Sequence, residues 1–214
     1  MLQNDSILPL LESRWSLFAN RTQLPHPHKM WDAIATLHTS PERTYHNIHH
    51  VADCLEKFDD WPDKPTDSAR DAIELAIWFH DIIYDSRRAD NEDSSAALLT
   101  HFIRGHALET EAIALIMATE HKEASGMRSE EIICDIDLSI LGATPETYTN
   151  YATAIRSEYD WVDPETYQQK RTQVLNNFLQ RENIYHTEHG RNAWQAQAQS
   201  NLQSEIKQLA HPTS

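Results

Sequence analysis

Apolar residues recur along this chain at intervals of three and four, and that spacing predicts one helix after another. Leu8, Leu11, Trp15 and Phe18 mark a first amphipathic helix, stopped by the Pro/His-rich turn LPHPH. Met30, Ile34 and Leu37 mark a second, ended by the Ser40-Pro41 step, because the residue before proline is pushed out of the helical region. Residues from about 44 to 59 read as a third helix. A long fourth, over about 67–84, contains the buried-looking run LAIWF. Asp90 can cap a helix over about 91–104, and another covers about 108–121. The segment EEIICDIDLSILG alternates like a strand, yet Ile132, Ile133, Ile136 and Ile140 also fit a helix; with no strand partner nearby it is read as helix. Thr144-Pro145-Glu146 and Asp163-Pro164-Glu165 each place a capping residue before proline at the first helical position, opening helices of about 145–159 and 164–182. A last helix, about 190–209, carries Trp194, Ala198, Leu202, Ile206 and Leu209 on one stripe. The expectation is an all-α fold in one domain, residues 1–214, with a core over about 25–142 and a C-terminal helical extension over about 143–210.

Composition supports that class. Only 4 of 214 residues are glycine, and β-branched runs are scarce. The formal charge of −15 repels phosphate backbones and anionic lipid, so neither nucleic acid nor a membrane is an expected partner without a basic patch. The longest basic runs are Arg87-Arg88 and Lys170-Arg171. Cys54 and Cys134 stand apart, outside any Cys-x-x-Cys pair, which fits a reducing compartment. With no signal-peptide pattern at the N-terminus and no bilayer-length apolar run, the expected location is cytoplasmic.

Thirteen histidines are the unusual number. His26, His28, His186, His189 and His211 read as surface residues. Three other clusters read as chemistry. In Tyr45-His46-Asn47-Ile48-His49-His50-Val51-Ala52-Asp53, a helix would place His46 and His50 on one face, one turn apart. His80-Asp81 lies inside the apolar stretch Ile77 to Tyr84, where a carboxylate is costly unless paired or bound to a metal. Asp137 lies in a second apolar run, Cys134 to Ser139. Converged by a bundle, His50, His80, Asp81 and Asp137 make a mixed nitrogen and oxygen site for a divalent cation.

The order His…His-Asp…Asp resembles the signature of the HD superfamily of metal-dependent phosphohydrolases. Residues 45–53 are similar to the first motif of cyclic-nucleotide phosphodiesterases, Tyr-His-Asn-x-x-His-x-Ala-Asp, and Ile136-Asp137-Leu138-Ser139 is similar to their Ala-Asp-Leu-Ser. The chain as a whole more closely resembles a bacterial family of small HD phosphohydrolases. That likeness spans roughly residues 14–205, through an RxYHN-type motif, WFHDxxYD followed by Asn-Glu, DxDLxILG and IRxEY. It implies an HD-type helical bundle, with His50, His80, Asp81 and Asp137 as ligands of a divalent ion (Mn, Mg, Fe, Co, Ni or Zn), and His46 where the phosphodiesterases keep a proton donor. The phosphodiesterase nucleotide pocket has no counterpart here, so cyclic-nucleotide hydrolysis is not implied.

The reaction expected is hydrolysis of a phosphate ester or phosphoanhydride, on a nucleotide or other small phosphorylated metabolite, with Asp81 orienting the attacking water and His46 acting as general acid. His46 could instead hold a ligand by a hydrogen bond. Further candidates for substrate or supporting contacts are His49, Tyr84, Asn91, Glu92, His121, Arg156 and Arg171. His49 is the alternative ligand to His50, Glu92 could be a first-turn acid, and His121 could be an ordinary helix-end cation. Arg156 could pair with Glu158, and Arg87, Arg88 and Lys122 are other cations for a phosphate. Asp135, two residues from Asp137, points elsewhere on a helix. Two other functions stay open: a di-iron oxygenase using His49 and His121, and a non-catalytic, metal-stabilised binding module.

Overall fold

The computed structural model describes residues 4–63, 65–122 and 126–211. Their helices are α1 (Asn4–Thr22), α2 (Pro27–His38), α3 (Ile48–Asp59), α4 (Asp67–Phe79), α5 (Asn91–Ile103), α6 (Glu109–Ala118), α7 (Arg128–Asp137), α8 (Pro145–Glu158), α9 (Pro164–Leu179) and α10 (Glu188–Ala210), with a 3₁₀ turn, Leu138–Gly142, after α7. No strand occurs among the described residues, so the all-α expectation holds. The chain divides into two compact units, Met1–Ile133 and Cys134–Ser214, with the boundary inside α7.

The first unit is organised around α4. Every residue from Ala72 to Phe79 is buried, because this helix packs on α3, α5 and α6. A helical stretch buried on every side lies in the interior. Trp15 of α1 meets Trp78 edge-on at 5.6 Å and lies 6.2 Å from Phe79. Its indole Nε1 donates to the Pro27 carbonyl at 2.9 Å, tying α1 to the start of α2. Glu74, the one acid on the buried stretch of α4, accepts from Arg14 Nε at 2.9 Å while the same guanidinium reaches Asp59 of α3.

In the second unit, Leu138, Leu141, Tyr148, Leu175, Ile184, Tyr185, Ala198 and Leu202 form the core between the 3₁₀ turn, α8, α9 and α10. The caps expected at Thr144 and Asp163 are present, accepting from the Thr147 and Thr166 amides, and Thr187 does the same for Gly190 at the start of α10. Gly142 has a steric cause: a Cβ there would come within 2.4 Å of Trp194 Cβ.

Three expected boundaries move. α3 starts at Ile48, not near residue 44; α4 stops at Phe79, not near 84; and the DIDLSILG segment changes from α-helix to 3₁₀ at Leu138. Asp90 does stand at the N-cap of α5, but its carboxylate accepts from Arg88 at 2.9 and 2.8 Å and makes no capping bond. No helix among the described residues is long and apolar enough to cross a membrane.

Candidate metal centre

The late start of α3 has a local cause. Asn47 is extended and caps the helix, its Oδ1 accepting from the His49 amide at 2.9 Å. Its Nδ2 donates back to the carbonyls of Arg43 and Thr44, which curls residues 43–47 into a loop. His46 therefore precedes the helix and does not stack one turn above His50, as helical spacing suggested. His46 instead lies flat on Tyr84, ring centroids 3.8 Å apart, with the His50 ring centroid 6.0 Å away.

The early end of α4 has a matching cause. Beyond Phe79 the backbone turns, and its polar groups are met by side chains from elsewhere. Arg43, buried, donates to the Asp81 carbonyl at 2.7 Å and the Ile82 carbonyl at 2.8 Å. Ser95 Oγ accepts from the Ile83 amide at 3.1 Å, and Asn91 both accepts from the Asp85 amide and donates to the Asp85 carbonyl at 3.1 Å. The His-Asp pair thus sits on a turn clasped from two sides, with its backbone groups satisfied without a helix.

That turn brings three donors together. His50 Nε2 and His80 Nε2 are 3.0 Å apart, and Asp81 Oδ2 lies 3.2 Å from the latter and 3.6 Å from the former. His80 Nδ1 faces the Ile77 carbonyl at 3.0 Å, which fixes the neutral ring with its proton on Nδ1 and its lone pair on Nε2. All three residues are buried. Donors about 2.1 Å from one ion stand about 3.0 Å apart at right angles and about 3.4 Å apart at the tetrahedral angle, so the edges of this triangle fit a single cation. The donor atoms of His50, Cys54 and His80 lie within 4.8 Å of one another, and this group could hold a metal ion, while Asp137 is the last residue of α7.

Sequence reasoning missed two residues here. Cys54 follows His50 by four positions on α3, its Sγ 3.8 Å from both ring nitrogens; helical spacing alone pointed to it. Arg43 stood in the RxYHN motif but was assigned no role. Its Nη1 also lies 3.4 Å from His38 Nδ1, and His38, fully buried, is pushed down to about 3, by burial first and then by the Arg43 charge.

The remaining candidates distribute as follows. His49 is half-buried, which lowers its pKa. Glu92, in the first turn of α5, has its pKa raised, chiefly by partial burial and further by the negative charges of Asp81 and Glu120, with His121 opposing. His121 follows α6 in a left-handed conformation, its amide donating to Ala118. Arg88 and Lys122 pair with Asp90 and Glu120. Arg156 donates to the carbonyls of Tyr159 and Val162 and covers the Tyr167 ring, so its guanidinium closes the α8–α9 loop. Arg171 is engaged by Glu205 at 2.8 Å. Asp135 accepts from the His186 and Thr187 amides and the Thr187 hydroxyl. Of the expected surface histidines, His26, His28 and His211 are exposed while His186 and His189 are half-buried.

Comparison with protein-family models, with curated proteins and with solved structures finds no match to this chain.

Proposed function

We propose that the chain is a metal-dependent phosphohydrolase of the HD type, acting on a small phosphorylated metabolite. The observation that carries this reading is the convergence of His50 Nε2, His80 Nε2 and Asp81 Oδ2 in a buried triangle of 3.0, 3.2 and 3.6 Å. Three ligand atoms so placed are held together by a proton or a cation among them. His50, His80 and Asp81 would hold a divalent ion, which when bound polarises a phosphoryl oxygen and acidifies water.

The chain's own groups supply the rest. Asp81 carries a carboxylate on a clasped turn, where it orients an attacking water. His46, stacked on Tyr84 and 6.0 Å from the His50 ring, gives its proton to the departing oxygen. The net charge of −15 disfavours a polyanionic nucleic-acid substrate and leaves small phosphate esters and anhydrides.

The test is metal analysis of gently purified protein beside phosphate release from a panel of phosphorylated metabolites, with added manganese, cobalt, nickel and magnesium. Asp81→Ala should lose both metal and phosphate release. His46→Ala should keep the metal and slow release about 10²- to 10⁴-fold. Undiminished metal in Asp81→Ala would refute the site, and bound metal without phosphate release from any substrate would refute the reaction.

A further inference from the structure

We propose, resting on the metal-site reading above, that Cys54 is itself a ligand, and that its sulfur turns the centre toward a borderline divalent ion of the zinc, cobalt or ferrous class and away from magnesium and calcium. The His…His-Asp…Asp order contains no sulfur donor, so this ligand belongs to the present chain's own geometry.

The placement follows from α3. His50 lies in its first turn and Cys54 one turn on, so both project from one face. The sulfur is 3.8 Å from His50 Nε2, the nitrogen that meets His80 at 3.0 Å. The thiol does not stand alone, since its Sγ is within 4.8 Å of donor atoms on His50 and His80. Cys54 is 1% exposed, so bulk water does not compete for the position. Binding takes the thiolate form, and the thiol proton leaves to solvent. Thiolate and imidazole donors favour zinc and its neighbours, whereas magnesium and calcium favour sites built wholly of oxygen.

Cobalt(II) makes the sulfur visible. Chelator-treated full-length protein titrated with cobalt should develop visible d–d absorption and, with it, an intense near-ultraviolet sulfur-to-cobalt charge-transfer band; this readout needs no variant to fold. Cys54→Ser should keep the visible bands, lose the charge-transfer band and weaken cobalt on the order of tenfold, with a smaller loss for manganese. Cys134→Ser, which removes the other thiol, should retain both features. Visible bands without charge transfer in the wild type, or charge transfer that survives Cys54→Ser, would make Cys54 an apolar packing residue while leaving the metal site intact. Failure of cobalt, zinc, manganese and ferrous iron all to bind would overturn the ligand together with the metal-site reading.

Discussion

Each unit of the molecule buries a polar cluster, and the two are built on opposite principles. In the second unit, Arg171 Nε and Nη2 donate to the two oxygens of Glu205 at 2.8 and 3.1 Å, and the Tyr148 hydroxyl donates to the same carboxylate. Donors meet acceptors, and burial with this acidic neighbour pushes the Tyr148 hydroxyl pKa up. In the first unit, two imidazole nitrogens and a carboxylate oxygen crowd together at 3.0 to 3.6 Å, with the His80 proton directed at Ile77 so that its Nε2 lone pair faces the cluster. A cluster that balances its own donors and acceptors holds structure. A cluster that converges imidazole nitrogens and a carboxylate is built from the atoms that ligate a cation.

The sharpest way to break this contrast is to unbalance the closed cluster. Glu205→Ala leaves the Arg171 charge buried beside tyrosines, and should destabilise the second unit by about 3–5 kcal/mol in chemical denaturation. Metal content should not change. The double variant Arg171→Met with Glu205→Leu removes both charges at similar volume and should recover most of that loss. Reduced metal in the folded Glu205→Ala protein would show that the two clusters do not serve separate purposes.

A smaller effect comes from Arg43, a structural cation placed beside the open cluster. Its two bonds fix the carbonyls of Asp81 and Ile82, so it sets where the Asp81 carboxylate stands without ligating anything. Arg43→Ala should cost about 2–4 kcal/mol, because two buried carbonyls lose charged donors. Arg43→Lys keeps the charge but lacks the fork that spans both carbonyls. It should fold, and should weaken metal binding about 10- to 100-fold in chelator competition. Unchanged metal affinity in Arg43→Lys would mean that the turn keeps its shape without this clasp.

Arg43 also marks the limit of what the sequence made legible. Apolar spacing located the helices, since burial on one face is a periodic signal and the C-terminal half of α4, buried from Ala72 to Phe79, reads as a nearly continuous apolar run. The caps at Thr144 and Asp163 were legible because they act on amides three residues away. The HD turn was not, because it is held open by Arg43, Ser95 and Asn91, and for Arg43 the reach is 38 residues to Asp81. An apolar pattern carries no record of such a bond, so the helix read straight through. His46 was misplaced for a related reason. Asn47 was available as an N-cap, and a cap there puts the preceding histidine outside the helix. His80 and Asp81 were found because a histidine or carboxylate inside an apolar run is physically expensive, and His50 because it stands in a Tyr-His-Asn-x-x-His pattern. Cys54 was passed over because a cysteine in the same setting is not.

The smallest expected effect separates a histidine that holds structure from those that face a cation. His38 is fully buried and held neutral, its pKa lowered from 6.5 to about 3, by burial first and then by the Arg43 charge. Above 6.5 the ring is neutral both folded and unfolded, and its contribution to stability is complete. As pH falls from 6.5 toward about 3, the unfolded chain takes up a proton that the folded chain refuses, so stability is lost across that window. The slope from this one group approaches about 1.4 kcal/mol per pH unit. Denaturation midpoints measured in chelator between about pH 7 and about pH 4 should fall more steeply for the wild type than for His38→Gln, whose amide does not titrate. Chelator removes the separate proton competition for metal ligands, so the difference between the two slopes belongs to His38. Parallel slopes would show that His38 takes up its proton in the folded state, which Arg43 beside its Nδ1 opposes.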